Sequence, residues 1–214
     1  MRVAIVSGRG LADVKRRVGV KGLIYSGNHG LEIEHARGAR WAHPEARRLA
    51  KAVARVAAEL APRLKEFPGA QLEAKGLTLS LHFRNLKSFL SPRPLRGLLE
   101  QIVGLDAAYL RVSRGKKVWE VRPRLRWNKG DALLKLAGTR GSTQTWTIAF
   151  VGDDQTDEEG FRRLGPGALT VHVGSSKRSR ANFRVKLQAH VALFLEFVLS
   201  EWSSPARGSS RARR

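Results

Sequence analysis

With 214 residues and 42% hydrophobic content, the chain can bury a proper core and suits one domain with a large insertion or two small domains. It holds no Cys and a single Met, which excludes a disulfide framework and any Cys-ligated metal, and no apolar run is long enough to span a membrane. The net charge of +22 and the pI near 11.6 raise nucleic acid or an anionic small molecule as partners. The basic residues are scattered, however, concentrating only at Lys177, Arg178 and Arg180 and from Arg207 to Arg214, with no aromatic-basic stacking and no helix-turn-helix spacing. A charged, solvated surface is the preferred reading, and nucleic acid is not the expected partner. Met1 to Val6 lead straight into a strand pattern without a signal-peptide charge region or cleavage site, so cytoplasm is the expected location.

Val3 to Val6 reads as a strand ending in Ser7-Gly8-Arg9: a hydroxyl, a glycine that lets backbone amides approach a ligand, and a guanidinium suited to oxyanions. Leu11, Val14 and Val18 recur at helical spacing up to Gly19. Leu23 to Tyr25 is a short strand, and Gly27-Asn28-His29-Gly30 reads as a turn whose His29 is a polar loop residue, a ligand or a substrate contact. Pro44 to about Leu64 carries a helical stripe of Leu49, Val53, Val56, Leu60 and Leu64, which Pro62 should end or bend. Between Leu72 and Arg84 the period changes to two: after Gly76, Leu77, Leu79, Leu81 and Phe83 form a core face and Thr78, Ser80, His82 and Arg84 a wet one.

Pro92 to Val103 is helical, and Ala107 to Val112 with Lys117 to Val121 form a hairpin around Ser113-Arg114-Gly115. Glu120 and Arg122 would project together from it, and an exposed ion pair is the ordinary reading of such a pair. Lys129 to Leu136 is a helix, Ile148 to Val151 a buried strand, Leu169 to Val173 another, and Gln188 to Trp202 a final helix with Val191, Phe194, Leu195 and Val198 apolar. Residues 203–214 hold nothing to bury and are expected to be disordered.

The strand at Ile148 breaks at Gly152 into Asp153, Asp154 and Asp157 before a helix. Acids at the carboxyl end of a strand in an open α/β sheet can hold a hard cation through oxygen ligands. The same letters also fit an acidic turn in which Thr156 or Asp157 caps the helix.

Taken in order, Ser7-Gly8-Arg9, an inserted α+β unit, Lys129-Gly130 and Gly152-Asp153-Asp154 with Asp157 resemble the haloacid dehalogenase superfamily of capped phosphatases. Gly27 to Gly30, Glu73-Ala74-Lys75-Gly76 leading to His82-Phe83-Arg84, Glu120 to Pro123 and residues 152 to 161 resemble trehalose-6-phosphate phosphatases in particular. The resemblance implies an α/β core with a parallel sheet over 1–40 and 122–202, an α+β cap over 41–121 and a basic tail over 203–214. It also implies Mg²⁺-dependent hydrolysis of trehalose 6-phosphate to trehalose and phosphate. Ser7 and Lys129 would bind the phosphoryl oxygens. Asp153 would ligate Mg²⁺, with Asp154 and Asp157 ligating or orienting in support. Glu73, Lys75 and Glu120 of the cap would contact sugar hydroxyls, and Arg9, Asn28, His29, His82, Arg84 and Arg122 are further candidates. Another sugar phosphate, such as sucrose phosphate or mannosyl-phosphoglycerate, is an alternative substrate.

That family carries an Asp-x-Asp-Gly-Thr nucleophile motif on the strand before Ser-Gly-Arg, and these 214 residues contain no Asp-x-Asp. The only acid before Glu32 is Asp13, in a helix. The chain is therefore expected not to turn over. In the implied fold the absent strand would lie between those at Val3 and Ile148, leaving edges about 10 Å apart, with unpaired backbone groups costing on the order of 1 to 3 kcal/mol each if buried. A start assigned too late, a decayed gene, and a surviving binding protein with a rearranged sheet are the three explanations, in that order.

Overall fold

The computed structural model of the protein describes residues 1–87, 91–138, 147–176 and 178–203. The chain forms two compact units, Met1–Ala132 and Leu133–Arg214. Residues 204–214 of the expected basic tail lie outside the described residues, as does Lys177.

The first unit opens with β1 (Ala4–Val6), α1 (Leu11–Val18), β2 (Ile24–Gly27), β3 (Glu32–Glu34) and β4 (Arg40–Ala42). β1 and β2 pair in parallel, while β3 and β4 continue the sheet antiparallel in the order β1-β2-β3-β4. β1 is therefore an edge of this sheet. α1 stops where expected: Gly19 takes a left-handed φ of 68° and its N–H bonds the Lys15 carbonyl at 2.9 Å. β3 and β4 escape sequence reading because each is three residues long and lies among charged and turn-forming residues.

The same unit continues with α2 (Pro44–Arg63), β5 (Gln71–Ala74), β6 (Leu79–His82), α3 (Pro92–Gly104), β7 (Leu110–Gly115) and β8 (Val118–Pro123). Their antiparallel sheet has the order β5-β6-β8-β7. Leu79 is paired with Val121 and Leu81 with Trp119, so these four share one face, and they pack with Val53, Val56 and Leu60 of α2 and Leu95 and Leu99 of α3. This is the larger buried cluster of the unit, and it holds the sheet rigid from behind. Pro62 does not end α2, which runs one residue further before a 3-10 turn over Leu64–Glu66.

Two expectations for this sheet need correcting. The hairpin turns at Lys116-Lys117, with Lys117 at φ 62°, and Gly115 belongs to β7. The second face of this strand is wet only at its far end: Arg84 is exposed and the His82 side chain 41% exposed, whereas Thr78 is fully buried and Ser80 nearly so, because they face Asn28 and Glu120 rather than solvent.

The chain passes from the first unit to the second along α4 (Lys129–Ala137). The second unit holds β9 (Ala149–Gly152), α5 (Gln155–Leu164), β10 (Leu169–Val173), β11 (Phe183–Val185) and α6 (Ala189–Ser203). Its strands are all parallel in the order β11-β10-β9, which leaves β9 at an edge of its sheet. Phe161 of α5 packs on Phe150 of β9 with ring centroids 5.1 Å apart. On α6, Val191, Phe194 and Val198 are half-buried, whereas Leu195 is exposed rather than part of the apolar face.

Candidate functional site

The Asn28–Gly30 segment is the hub of the first unit. Asn28 and His29 both hold left-handed φ angles, 50° and 59°, a conformation more accessible to Asn than to most side chains. Asn28 is fully buried. Its Nδ2 donates to the Lys75 carbonyl at 2.9 Å and its Oδ1 accepts from the Thr78 hydroxyl at 2.6 Å. This one side chain thus ties the first sheet to the second.

His29 is 6% exposed, so the loop-residue reading of it is wrong; the ring lies against Gly8, where an added Cβ would come within 2.6 Å of Cε1. Its Nε2 lies 2.8 Å from Glu120 Oε2, and Nδ1 has no hydrogen-bond partner among the described residues. Burial pushes the imidazole below its ordinary pKa of 6.5. A neutral ring then donates its Nε2 proton to the carboxylate.

Glu120 also meets the Lys75 ammonium, Nζ to Oε1 2.6 Å, and Lys75 in turn donates to the Gly8 carbonyl at 3.0 Å. The side chains of Lys75 and Glu120 are only 7% and 15% exposed. Burial pushes the Glu120 carboxyl up, but hydrogen bonds and charge from His29 and Lys75 outweigh it and hold the group well below the carboxylate range. The pair expected from sequence as an exposed Glu120–Arg122 bridge is therefore a buried Lys75–Glu120 one. Arg122 is itself buried at 5% exposure, on the strand position paired with Arg111.

Pairing registers place Glu73, Ser80, Glu120 and Ser113 side by side across the sheet, a polar row on the face opposite the apolar cluster. Glu73 takes His82 Nε2 at 2.8 Å. The Ser7-Gly8-Arg9 turn sits beneath: Ser7 Oγ accepts from the Arg9 amide at 3.2 Å. The Arg9 guanidinium is not free for an oxyanion, since it pairs with Asp13 at 2.9 Å alongside Arg16 and Arg17. Arg17 and then Arg9 pull the Asp13 carboxyl down to about 2. Arg84 lies apart from the Lys75–Glu120 pair, its Nη2 reaching the Lys116 carbonyl at 3.4 Å.

Lys129 opens α4 and is 5% exposed. Asn128 fixes that start: its Oδ1 accepts from the Gly130 amide at 2.8 Å, while Asp131 Oδ2 accepts from the Asn128 amide at 3.0 Å. In the second unit the acidic loop is built the same way. Asp154 is the N-cap of α5, accepting from the Asp157 amide at 2.8 Å, and Thr156 donates to it. Asp157, 4% exposed, accepts from the amides of Asp153 and Asp154 at 3.0 and 3.1 Å. Gly152 leaves room for that carboxylate, whose Cγ would lie 2.3 Å from an added Cβ.

The cap is therefore Asp154, not Thr156 or Asp157, and Asp157 shapes the loop with a carboxylate already engaged by two amides. The Asp153 side chain is exposed and has no hydrogen bond or ion pair among the described residues. Among those residues no three His, Cys, Asp or Glu gather as a metal cluster. One open carboxylate with a second beside it still suits Mg²⁺, which takes one or two carboxylates and fills its shell with water and substrate oxygens.

The family model described as Trehalose-phosphatase matches residues 1–189. The chain belongs to the trehalose-phosphatase family. That family is one of phosphoric monoester hydrolases. The chain is 36% identical over 202 residues to a Mycobacterium tuberculosis protein described as an uncharacterized glycosyl hydrolase, covering 90% of the chain and 15% of that protein. It is 31% identical over 210 residues to a trehalose-phosphate phosphatase of Mycobacterium marinum, covering 94% of the chain and 53% of the relative.

The chain thus spans about half the length of the curated trehalose-phosphate phosphatases it matches. A crystal structure of a trehalose-6-phosphate phosphatase related protein superposes with TM-score 0.78 at 24% identity, over 94% of this chain and 82% of that one. A haloacid dehalogenase-like hydrolase from Bacteroides thetaiotaomicron shares the fold at TM-score 0.63 and 14% identity, over 92% of this chain and 86% of that one. The haloacid dehalogenase-like α/β fold expected from the sequence is the fold of the protein.

Proposed function

We propose that the chain binds trehalose 6-phosphate as a trehalose-phosphatase family member and that these residues alone do not hydrolyse it. The observation that carries this reading is the Lys75–Glu120–His29 cluster. A buried ammonium and carboxylate meet at the Gly8 turn, on the polar face of the sheet, and Lys75 and Glu120 are positions for which the family resemblance implies sugar contacts. Glu73, Lys75 and Glu120 hold hydroxyls, since carboxylates accept from and ammonium groups donate to a polyol. Ser7 and Lys129 bind phosphoryl oxygens, the lysine neutralising their charge. Asn28, His29 and Arg122 position the cluster, and Arg9 acts through Asp13.

Asp153, with Asp154 beside it, takes Mg²⁺, and Asp157 orients the loop. When bound, such an ion supplies positive charge that neutralises anionic oxygens. The proposed setting is cytoplasmic; no helix among the described residues is long and apolar enough to cross a membrane.

Binding without turnover is favoured over catalysis by a specific fact: the 214 residues hold no Asp-x-Asp. An attacking carboxylate must lie in line with phosphorus and beside the metal; Asp13 is held in ion pairs, Asp154 and Asp157 in the helix cap, and Asp153 is assigned to the ion. Calorimetric titration with trehalose 6-phosphate, with a parallel assay for released phosphate, tests both halves. Binding without release is expected. A folded protein that binds neither trehalose 6-phosphate nor another sugar phosphate refutes the reading. Sucrose phosphate serves as the competing ligand.

A further inference from the structure

Two residues along from the polar row of Glu73, Ser80, Glu120 and Ser113, the same face of the sheet carries two guanidiniums side by side: Arg111 of β7 is the register partner of Arg122 of β8. Side chains directly opposite on antiparallel strands have Cβ atoms about 5 Å apart, and like charges so placed oppose folding. Arg122 is buried. Arg111 is half-buried, its Nε is shut off from water, and that nitrogen has no hydrogen-bond partner among the described residues. A donor buried without a partner is costly, and a charged one more so.

The acids of this face do not supply the missing partner. Glu120, the diagonal neighbour of Arg111, gives one oxygen to Lys75 and the other to His29. Glu73 takes His82. Among the described residues the Arg111 side chain has no ion pair. Further positive charge gathers nearby: after burial, the charges of Arg122 and Lys129 both help to keep the His29 imidazole neutral, so these two cations lie within electrostatic reach of one buried ring.

β7 is an edge strand, and the half-burial of Arg111 leaves part of its side chain open to a small solute. A planar fork with an unused donor beside a second guanidinium suits a tetrahedral oxyanion, which accepts from several N–H groups at once and relieves the repulsion between the two cations. A neutral sugar would leave that repulsion in place.

We infer that Arg111, with Arg122 beside it, is an oxyanion site for phosphate. The site goes beyond the proposed function, in which Arg111 has no part, and its chemistry is the same for free phosphate and for the phosphate of a sugar ester.

The test is calorimetric titration of inorganic phosphate, trehalose 6-phosphate and trehalose, at fixed ionic strength, into the unsubstituted protein, Arg111→Gln and Arg93→Gln. Thermal unfolding of each is followed in phosphate-free chloride buffer. Arg93 is exposed on α3, so its substitution removes the same charge elsewhere and reports diffuse attraction to a chain of net charge +22. Arg111→Gln is expected to weaken phosphate by about tenfold, and Arg93→Gln to leave it unchanged. The phosphate-free Tm of Arg111→Gln should equal or exceed that of the unsubstituted protein, because an orphaned donor and a like-charge contact are gone. An equal loss for trehalose 6-phosphate assigns the oxyanion to the ester, and a loss confined to inorganic phosphate assigns it to the free ion; both support the site. It is overturned if the unsubstituted protein binds no phosphate, if Arg111→Gln binds it as well, or if Arg93→Gln loses as much. A loss shared by trehalose, or a lowered Tm of Arg111→Gln without phosphate, also overturns it. Trehalose 6-phosphate binding by the unsubstituted protein is read in the same titrations, so the proposed function stands or falls separately.

Discussion

Replacing Lys75 by Met removes the ammonium while keeping the length of the side chain. It leaves Glu120 with a neutral imidazole and a weak 3.4 Å contact to Ser80 in place of the ammonium. Both side chains are under a sixth exposed, so water does little to screen the loss. Breaking a buried pair from one side costs about 3 to 5 kcal/mol, and for a chain of this size that is roughly a 10 °C fall in Tm. The loss has a pH signature. Without Lys75, burial raises the folded-state pKa of Glu120 above its unfolded value of about 4.3. Its contribution is then intact below that pH and is lost as pH rises through the new value. Urea unfolding followed by tryptophan fluorescence should therefore show a Lys75→Met defect that is already present at pH 4, where the unsubstituted pair is ionised, and that grows toward pH 8, and that Glu120→Gln in the same chain largely repairs. A defect below about 1 kcal/mol, or one independent of pH, would refute the claim that this pair is buried and ionised.

Thr78→Val leaves the buried Asn28 Oδ1 without its donor and should cost about 1 to 3 kcal/mol in equilibrium unfolding, with the isosteric shape ruling out a cavity as the cause. The two acids of the loop after β9 should separate: Asp157→Ala loses two amide contacts and about 1 to 2 kcal/mol, whereas Asp153→Asn changes stability by no more than about 0.5 kcal/mol yet removes any Mg²⁺ dependence of trehalose 6-phosphate binding. His29 is depressed by burial, so folding is opposed by its protonation: stability is present above pH 6.5 and falls below it by up to about 1.4 kcal/mol per pH unit. His29→Gln should remove that acid-side slope in pH-dependent unfolding.

The elements that alternate apolar residues over five or more positions were legible in the sequence, as were glycine stops such as Gly19. What escaped was polar residues put to structural use. Thr78 and Ser80 look like a wet face because the period-two rule assigns one side to water, and it cannot know that a second sheet covers that side. His29 looks like a loop residue because its partner, Glu120, is 91 positions away. Asp154 and Asp157 read from sequence as metal ligands, with Thr156 or Asp157 as the alternative helix cap; the geometry makes Asp154 the cap and Asp157 its capping-box partner while leaving Asp153 open.

The most direct test of the central claim is calorimetry of trehalose 6-phosphate binding to residues 1–214, with and without Mg²⁺, alongside a phosphate-release assay on the same sample. The account predicts saturable binding that Lys75→Met weakens, with no phosphate released. Phosphate release abolished by Asp153→Asn would contradict the absence of a nucleophile, and a folded protein indifferent to every sugar phosphate would contradict the site itself.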